Sequence, residues 1–251
     1  MNETLYQQVA WSWMLIGLIT FFYLLRQPAP YGRHTSVQWG PMMSNKWGWV
    51  LMEGFVLVVL FTVLYTYDIQ WTLPSIVLIG LFTLHYFNRS FIFPFRIRTS
   101  GKQMPVLIAG SAMLFNLANG YLMGYHFAQR ATFPEKWFFQ WHVIVGFLVF
   151  ITGMVINVRS DERLLHLRKP EETGYKIPNG GLFQLVSCPN LLGECIEWLG
   201  FALMSWSLPG FVFFVWTCAN VIPRALAHHR WYLDRFPNYP KERKAVVPYF
   251  V

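Results

Sequence analysis

The chain has 251 residues, of which 55% are hydrophobic and only 13% are charged. This composition excludes a disordered chain, which needs low hydrophobicity and high charge, and it argues against a soluble globule, in which about 25% of residues are charged. Lys and Arg outnumber Asp and Glu by 20 to 12, an excess more typical of cytosolic loops that face anionic lipid than of nucleic-acid binding.

Seven stretches are apolar enough to cross a bilayer as helices, which takes about 20 residues each. In chain order they lie near residues 9–25, 47–66, 71–94, 105–125, 137–157, 190–206 and 207–223. The last two are short and are joined by a tight Ser-Leu-Pro turn. We therefore predict an all-α, multi-pass membrane protein with seven transmembrane helices that form a single domain over residues 1–251.

The basic residues predict the orientation of these helices, because loops on the cytosolic side carry an excess of Lys and Arg. If the N-terminus is outside, the cytosolic loops and tail hold 17 basic residues, and the outer loops hold only two, Arg130 and Lys136. The sequence thus predicts an outer N-terminus and a cytosolic C-terminus.

Polar residues occur inside every predicted span after the first. They are Glu53, Tyr86, Asn88, Arg89, Asn116, Asn119, His142, Asn157, Glu194, Glu197 and Asn220. Ionisable groups at this depth are costly and almost always face the interior of a helix bundle, although Asn and His can also serve only to join helices by hydrogen bonds. So many polar groups in one small bundle predict a polar cavity that holds a ligand.

Some of these residues share a helix face. Asn190, Glu194 and Glu197 are separated by four and three residues, which places them on the same side of a helix. Asn157 and Asp161 are four residues apart near the cytosolic end of the fifth span. These two sets are candidates for binding the polar parts of a ligand.

A second stripe lies near the C-terminus. Arg224, His228 and Tyr232 recur every four residues on a helix that we expect to begin near Pro223 and to continue into the cytosolic tail. Arginine presents a planar fork of donors that suits phosphate groups. The same stripe would also arise on a solvated amphipathic helix, so it indicates a phosphate site only in combination with other features.

Familiar motifs of other enzyme classes are absent. The sequence contains no GxGxxG, no GxxxxGK[ST] and no HExxH, so any dinucleotide site is not of the Rossmann type. Its three cysteines, Cys188, Cys195 and Cys218, form no CxxC pair, which argues against a zinc site. We expect no metal site.

Several long segments together resemble the steroid 5α-reductase family, and the resemblance covers nearly the whole chain. They are QPAPYGRHT (27–35), LFTLHYFNRSF (81–91), GMVINVRSDERLLHLRKP (153–170), GYKIPNGGLFQLVSCPNLLGECIEWLGFAL (174–203) and RALAHHRWYLDRFPNYPKERKAVVPY (224–249). No single segment is specific, but the combination is. On this resemblance we expect a bacterial member of the family.

The resemblance implies a seven-helix membrane enzyme that uses NADPH to reduce the C4–C5 double bond of 3-oxo-Δ4 steroids such as testosterone or progesterone. Glu53 and Tyr86 match the catalytic residues of the family. The positions that match or adjoin its cofactor contacts are Tyr31, Arg33, Arg89, Arg98, Asn157, Asp161, Arg168, Tyr175, Asn190, Glu194, Arg224, His228 and Tyr232. The sequence departs from the family at Met52, where steroid-reducing members often have glutamine, and it aligns loosely around Arg98.

The chemistry explains why such residues are needed. Hydride addition to a conjugated enone places negative charge on the carbonyl oxygen, which preorganised donors in a dry site must stabilise. A glutamic acid surrounded by apolar helices can stay protonated and donate a hydrogen bond, and a tyrosine donates at any ordinary pH. We therefore expect Glu53 and Tyr86 to hold the substrate carbonyl. The resemblance implies NADPH as the cofactor, so we expect a titration to show a preference for NADPH over NADH.

Other functions remain open at this level. An enoyl-thioester or other sterol double-bond reductase would use the same hydride chemistry, and an isoprenylcysteine-type methyltransferase would bind S-adenosylmethionine instead. A transporter would be expected to show inverted repeats, and none is seen in the sequence. We expect a monomer without an obligate protein partner and without nucleic acid, in the bacterial inner membrane or, if the source is eukaryotic, in the endoplasmic reticulum.

Overall fold

The structure is a computed structural model that describes residues 1–97, 101–168, 172 and 174–251. This part of the chain is mostly helical, which confirms the predicted predominance of α-helix. Its helices are α1 (Glu3–Arg26), α2 (Asn45–Thr66), α3 (Leu73–Phe87), α4 (Phe93–Arg96), α5 (Val106–Gln129), α6 (Trp141–Leu165), α7 (Pro189–Ser205) and α8 (Leu208–Arg235). Two short strands, β1 (Met42–Ser44) and β2 (Gln103–Pro105), pair in antiparallel register.

Six helical stretches of the described residues are long and apolar enough to cross a membrane. They are α1, α2, the continuous stretch Leu73–Arg96, α5, α6 and α8. The seventh predicted span corresponds to α7, which has 17 residues and is shorter than the others. The protein is therefore an integral membrane protein, and the described part of its chain contains six candidate spans.

The backbone divides into two compact units, and the first comprises Met1–Pro28 and Ile144–Val251. In this unit α8 packs against both α1 and α7. The indole Nε1 of Trp216 on α8 donates a hydrogen bond to the carbonyl of Trp13 on α1 at 2.8 Å. The first helix and the last helix are thus held together although they lie at opposite ends of the sequence.

Helices α6 and α7 approach each other closely because four glycines face the partner helix. Gly146 and Gly153 lie seven residues apart on α6, and Gly193 and Gly200 lie seven apart on α7. A Cβ atom on Gly193 would lie 2.5 Å from the backbone nitrogen of Asn157. Small residues at such positions allow membrane helices to pack backbone against backbone, and no larger side chain fits here.

The second unit comprises Ala29–Val143 and is built around the pair α2 and α5. Gly120 and Gly124 on α5 contact Val59 and Val63 on α2, which is the small-residue spacing that favours close helix pairs in membranes. The strands β1 and β2 precede α2 and α5 directly, so that their pairing fixes how these two helices begin.

The start of α3 follows ordinary capping rules. Thr72 accepts a hydrogen bond from the backbone of Ser75, the hydroxyl of Ser75 accepts one from the backbone of Thr72, and Pro74 lies in the first turn. Proline is favoured there because the missing N–H would have no helical partner. The reciprocal pair is a capping box and satisfies two backbone donors that would otherwise be exposed.

A π-helical turn, Asn88–Ile92, separates α3 from α4. Pro94 lies just after it, and a proline inside a helix removes one backbone hydrogen bond and crowds the preceding turn. The wider turn relieves that crowding without ending the helix. Such π turns are rare and occur often at functional sites, and this one begins two residues after the candidate residue Tyr86.

One sequence-based boundary is wrong. The predicted break near Pro223, with a separate helix beginning there, does not exist, because α8 is continuous over Leu208–Arg235 with Pro223 inside it. A proline deletes only one hydrogen bond of the helix, and helices of membrane proteins tolerate that loss. Ser207 caps the start of α8 by accepting a hydrogen bond from Gly210, as the predicted Ser-Leu-Pro turn implies.

Candidate active site

The second unit contains both candidate catalytic residues. Glu53 is half-buried on α2, and Tyr86 is 4% exposed near the end of α3. A Cβ atom on Gly54, the neighbour of Glu53, would lie 3.8 Å from the hydroxyl of Ser90 in the π turn. Helix α2 therefore packs at this level against the segment that follows Tyr86. The ring of Tyr86 is fixed by Phe82, whose ring centroid is 4.8 Å away.

Arg89 lies in the π turn and is flanked by aromatic rings. It is 8% exposed, and its guanidinium carbon is 5.4 Å from the ring centroid of Trp49 and 4.9 Å from that of Phe93. Tyr31 completes the group with an edge-to-face contact to Trp49 at 6.3 Å. Because Trp49 lies one helical turn before Glu53, the structure brings Tyr31 and Arg89 to the same part of α2.

Some buried polar atoms of this unit have no hydrogen-bond partner in the described part of the chain. They include the hydroxyl oxygens of Thr83 and Ser90 and the Oδ1 atom of Asn116 on α5. The amide nitrogen of Asn116 donates to the carbonyl of Met52 at 2.5 Å, next to Glu53. Unsatisfied buried polar groups are uncommon in native proteins, so this region has hydrogen-bonding capacity that the protein itself does not use.

Arg33 and Arg98 are the remaining candidates of this unit. Arg33 is half-buried in a short 3₁₀ turn, Gly32–His34. Arg98 lies outside the described residues, so its predicted role stays a prediction.

In the first unit, hydrogen bonds join three of the candidate residues. The amide of Asn157 on α6 donates to the backbone carbonyl of Asn190 on α7 at 3.0 Å, and the amide of Asn190 donates to the carboxylate of Asp161 at 3.0 Å. Asn157 and Asp161 are 3% and 7% exposed. Glu194 lies one turn after Asn190 and is half-buried. The close α6–α7 packing at Gly193 is what allows these short side chains to meet.

The predicted stripe on α8 exists within one helix. Arg224 and His228 are half-buried, and Tyr232 is 2% exposed. Beside Arg224, Ala225 belongs to a buried cluster with Leu191 of α7. The stripe is therefore not the solvated face that its spacing alone would also allow.

The loop between α6 and α7 holds two further candidates. Arg168 donates a hydrogen bond to the carbonyl of Gly174 at 2.7 Å. Tyr175 is exposed over 40% of its surface, and its ring meets that of Trp231 edge to face at 4.8 Å. Gly174 has a φ of +87°, a conformation that glycine adopts far more readily than other residues.

Sequence reasoning missed the arginines that hold this loop further along. Arg243 is 4% exposed and donates to the carbonyl of Pro178 at 2.9 Å and to Oδ1 of Asn179 at 3.3 Å. Arg163 donates to the carbonyl of Asn179 at 3.2 Å. In the sequence both were counted only as cytosolic charges. The turn-forming run Pro178-Asn179-Gly180-Gly181 is the local sequence signal of the turn that receives them.

The donor groups of the first unit suit a phosphorylated dinucleotide. Guanidinium groups such as those of Arg168 and Arg224 bind phosphates, whereas the linked amides and carboxylate of Asn157, Asn190 and Asp161 offer donors and acceptors for hydroxyl and carboxamide groups. The residues present therefore fit a nicotinamide dinucleotide, and they do so without a Rossmann fold.

Comparison with known proteins places the chain in a class of membrane oxidoreductases. Residues 102–251 match the family model described as 3-oxo-5-alpha-steroid 4-dehydrogenase. The chain is 42% identical to steroid 5-alpha-reductase DET2 of Gossypium hirsutum, over 99% of this chain and 98% of that protein. It is 40% identical to 3-oxo-5-alpha-steroid 4-dehydrogenase 1 of Mus musculus, over 94% and 93% of the two chains.

The human protein of the same name is 37% identical over 99% of this chain and 96% of its own length. The protein therefore belongs to the 3-oxo-5-alpha-steroid 4-dehydrogenase family and is an enzyme. The family predicted from the sequence is confirmed. The expected bacterial source is not borne out, because these three relatives come from a plant and two mammals.

Proposed function

We propose that this protein reduces the C4–C5 double bond of 3-oxo-Δ4 steroids such as testosterone or progesterone, with NADPH as the reductant. The observation that carries the proposal is the similarity, over nearly the full chain, to enzymes named steroid 5-alpha-reductase. Each unit, taken by itself, contains donor groups of the kind that this reaction needs, and this supports the proposal.

Glu53 and Tyr86 are the proposed catalytic residues. When hydride adds at C5, the electron pair of the double bond shifts and negative charge builds on the 3-keto oxygen. The phenol of Tyr86 and the protonated carboxyl of Glu53 donate hydrogen bonds to that oxygen, and the resulting enolate then takes a proton from solvent at C4. The nearly complete burial of Tyr86 supports this role, because donors stabilise an oxyanion best where water is excluded.

The proposed cofactor-binding residues are polar residues of the first unit together with Arg89 and other candidate residues of the second unit. When bound, NADPH supplies the hydride. Arg168, Arg224 and His228 bind phosphates, with Arg33 and Arg98 as further cations. Asn157, Asp161, Asn190 and Glu194 bind ribose hydroxyls or the carboxamide, and Tyr31, Tyr175 and Tyr232 supply ring faces and hydroxyls. The Asn157–Asn190–Asp161 hydrogen bonds support the second group, because they fix these side chains in advance of binding.

We further propose that α7 is a seventh transmembrane helix, that the N-terminus is outside, and that the enzyme is a monomer. At 1.5 Å per residue, 17 residues extend about 26 Å, slightly less than the hydrocarbon core of about 30 Å. A membrane-impermeant maleimide tests the orientation. It should label Gln8→Cys from the outer side and Glu242→Cys from the cytosolic side, and the reverse pattern would contradict the proposal.

Product analysis tests the reaction. Purified protein, NADPH and testosterone should yield the 5α-reduced steroid, with slower turnover on NADH and none on an enoyl-CoA. If the enoyl-CoA is reduced and the steroid is not, the proposed substrate class is wrong.

Two substitutions test the proposed catalytic pair. Loss of one oxyanion donor costs about 3–4 kcal/mol of transition-state stabilisation, so Glu53→Met and Tyr86→Phe, which each remove a donor, should each lower kcat by about a hundredfold or more. Tyr65→Phe is a matched control, because Tyr65 lies on the same helix as Glu53 and is 89% exposed. Near-normal turnover in both test variants would refute the assignment.

A further inference from the structure

One group of hydrogen-bonded side chains next to the C-terminal segment has no role in the function proposed above. The hydroxyl of Ser187 lies 2.6 Å from Nδ1 of His229 on α8 and 2.7 Å from the hydroxyl of Tyr239. Ser187 and Tyr239 are each 3% exposed. The hydroxyl of Ser187, two residues before the start of α7, therefore connects a residue of α8 with a residue of the tail.

Tyr239 in turn contacts a candidate cofactor-binding residue. Its ring is nearly parallel to that of Tyr232, with an interplanar angle of 8° and a centroid distance of 5.1 Å. The guanidinium carbon of Arg243 lies 5.2 Å from the centroid of the Tyr239 ring. Tyr239 thus forms the link between the Ser187 hydroxyl and the ring of Tyr232.

Backbone hydrogen bonds hold the tail in register with Ser187. The nitrogen of Lys244 donates to the carbonyl of Leu185 at 2.9 Å, and the nitrogen of Ser187 donates to the carbonyl of Lys244 at 2.8 Å. Cys188 continues the pairing by donating to Ala245 at 3.1 Å. The tail is therefore an ordered part of the first unit, and the position of Tyr239 is determined by contacts on several sides.

We propose that Ser187 and Tyr239 are positioning residues that act through Tyr232 and set the affinity for NADPH. This inference rests on the proposed function, in which Tyr232 contacts the cofactor. A stacked ring alone can slide, whereas a ring whose hydroxyl is hydrogen-bonded cannot do so without breaking that bond. Ser187 fixes the hydroxyl of Tyr239, and Tyr239 then restricts the Tyr232 ring to one orientation before the cofactor arrives.

Tyr239→Phe is the most direct test, because it keeps the stacked ring and removes only the hydroxyl. Ser187 retains its bond to His229, so the variant leaves no new unsatisfied group and is expected to fold. A buried hydrogen bond typically contributes enough to change an equilibrium by about threefold to tenfold, and we expect the Kd for NADPH to rise by that factor. The kcat at saturating NADPH should remain close to that of the unchanged enzyme.

Ser187→Ala should give the same rise in the Kd for NADPH, measured by nucleotide fluorescence on the full chain in detergent. Tyr249→Phe is the matched control for loss of a tail hydroxyl, since Tyr249 is 78% exposed and lies outside this group. Thermal unfolding of each variant reports whether the fold is retained.

A double-mutant cycle separates positioning from general support of the fold. If Ser187 acts through the ring of Tyr232, Ser187→Ala should have little further effect on the Kd in the Tyr232→Leu background, where that ring is absent, because coupled residues are not additive. Additive losses, or an unchanged Kd in both Tyr239→Phe and Ser187→Ala, would overturn the inference. If the folded, unsubstituted enzyme fails to bind NADPH, the proposed function itself is wrong. This result differs both from additive losses and from an unchanged Kd in the two variants.

Discussion

Gly193→Ala adds a single methyl group at the closest point between α6 and α7. The new Cβ atom would lie 2.5 Å from the nitrogen of Asn157, 2.7 Å from the carbonyl oxygen of Gly153 and 2.9 Å from the Cα of Asn157. All three atoms belong to the backbone and cannot rotate away. Non-bonded atoms prefer separations of about 3.5–4.0 Å, so the two helices must move apart by about 1 Å.

The substitution therefore has two effects that lower stability and one that raises it. Overpacking costs about 1–3 kcal/mol. The hydrogen bonds of Asn190 with Asn157 and Asp161, both 3.0 Å long, would stretch toward 4 Å and lose about 1 kcal/mol each. Alanine is a better helix former than glycine by about 1 kcal/mol. The net loss of stability is about 2–4 kcal/mol.

Two measurements on the protein in detergent check this expectation. The midpoint of thermal unfolding should fall by several degrees, and the Kd for NADPH should rise by about tenfold or more, because three candidate cofactor residues lose their arrangement together. Gly110→Ala is the matched control, since a Cβ atom there would meet nothing within 4 Å, and it should leave both quantities unchanged or slightly raise the midpoint. If Gly193→Ala behaves like Gly110→Ala, backbone contact between α6 and α7 does not support the site.

Two further substitutions test arginines whose geometry lysine cannot reproduce. Arg243→Lys should lower the thermal midpoint, because one ammonium cannot serve the carbonyl of Pro178 and Oδ1 of Asn179 together, at a cost of about 1–3 kcal/mol. Arg89→Lys should destabilise the protein by about 0.5–2 kcal/mol, because it loses stacking on Trp49 and retains only a point charge. Thermal unfolding in detergent measures the loss of stability of each variant, and the turnover of each variant is measured alongside.

Arg235→Lys serves as the control for both, since Arg235 is exposed and should tolerate the exchange. A midpoint for Arg243→Lys equal to that of the control would mean that the loop around Asn179 is not held by that guanidinium. An equal midpoint for Arg89→Lys would mean that the aromatic contacts contribute no stability.

The sequence predicts the long spans well because hydropathy over 20 residues is a strong signal. It gives the starts of α3 and α8 almost correctly, since Thr72, Pro74 and Ser207 are residues with clear capping preferences. It places the end of α8 wrongly, because one proline reads as a helix boundary although the loss of one hydrogen bond does not end a helix.

The sequence does not predict which residues that are far apart along the chain come into contact. The spacing of Gly146 with Gly153 and of Gly193 with Gly200 is visible in the sequence, but nothing there states that the two pairs face each other. Likewise, periodicity places Tyr232 on a helix face but gives no reason to pair it with Tyr239, which lies in an irregular segment. Such pairings depend on tertiary packing, which short-range patterns do not encode.

The contact between α1 and α8 has a consequence for biosynthesis. Trp13 emerges from the ribosome well before Trp216, which follows it by 203 residues, yet the hydrogen bond between them joins these two helices. The first helix must therefore remain in the lipid without its partner until the segment that carries Trp216 has been synthesised. During that interval its packing surface is open to chaperones and quality-control proteases, so substitutions that weaken this late docking step should lower the yield of the enzyme in cells more than its activity once purified.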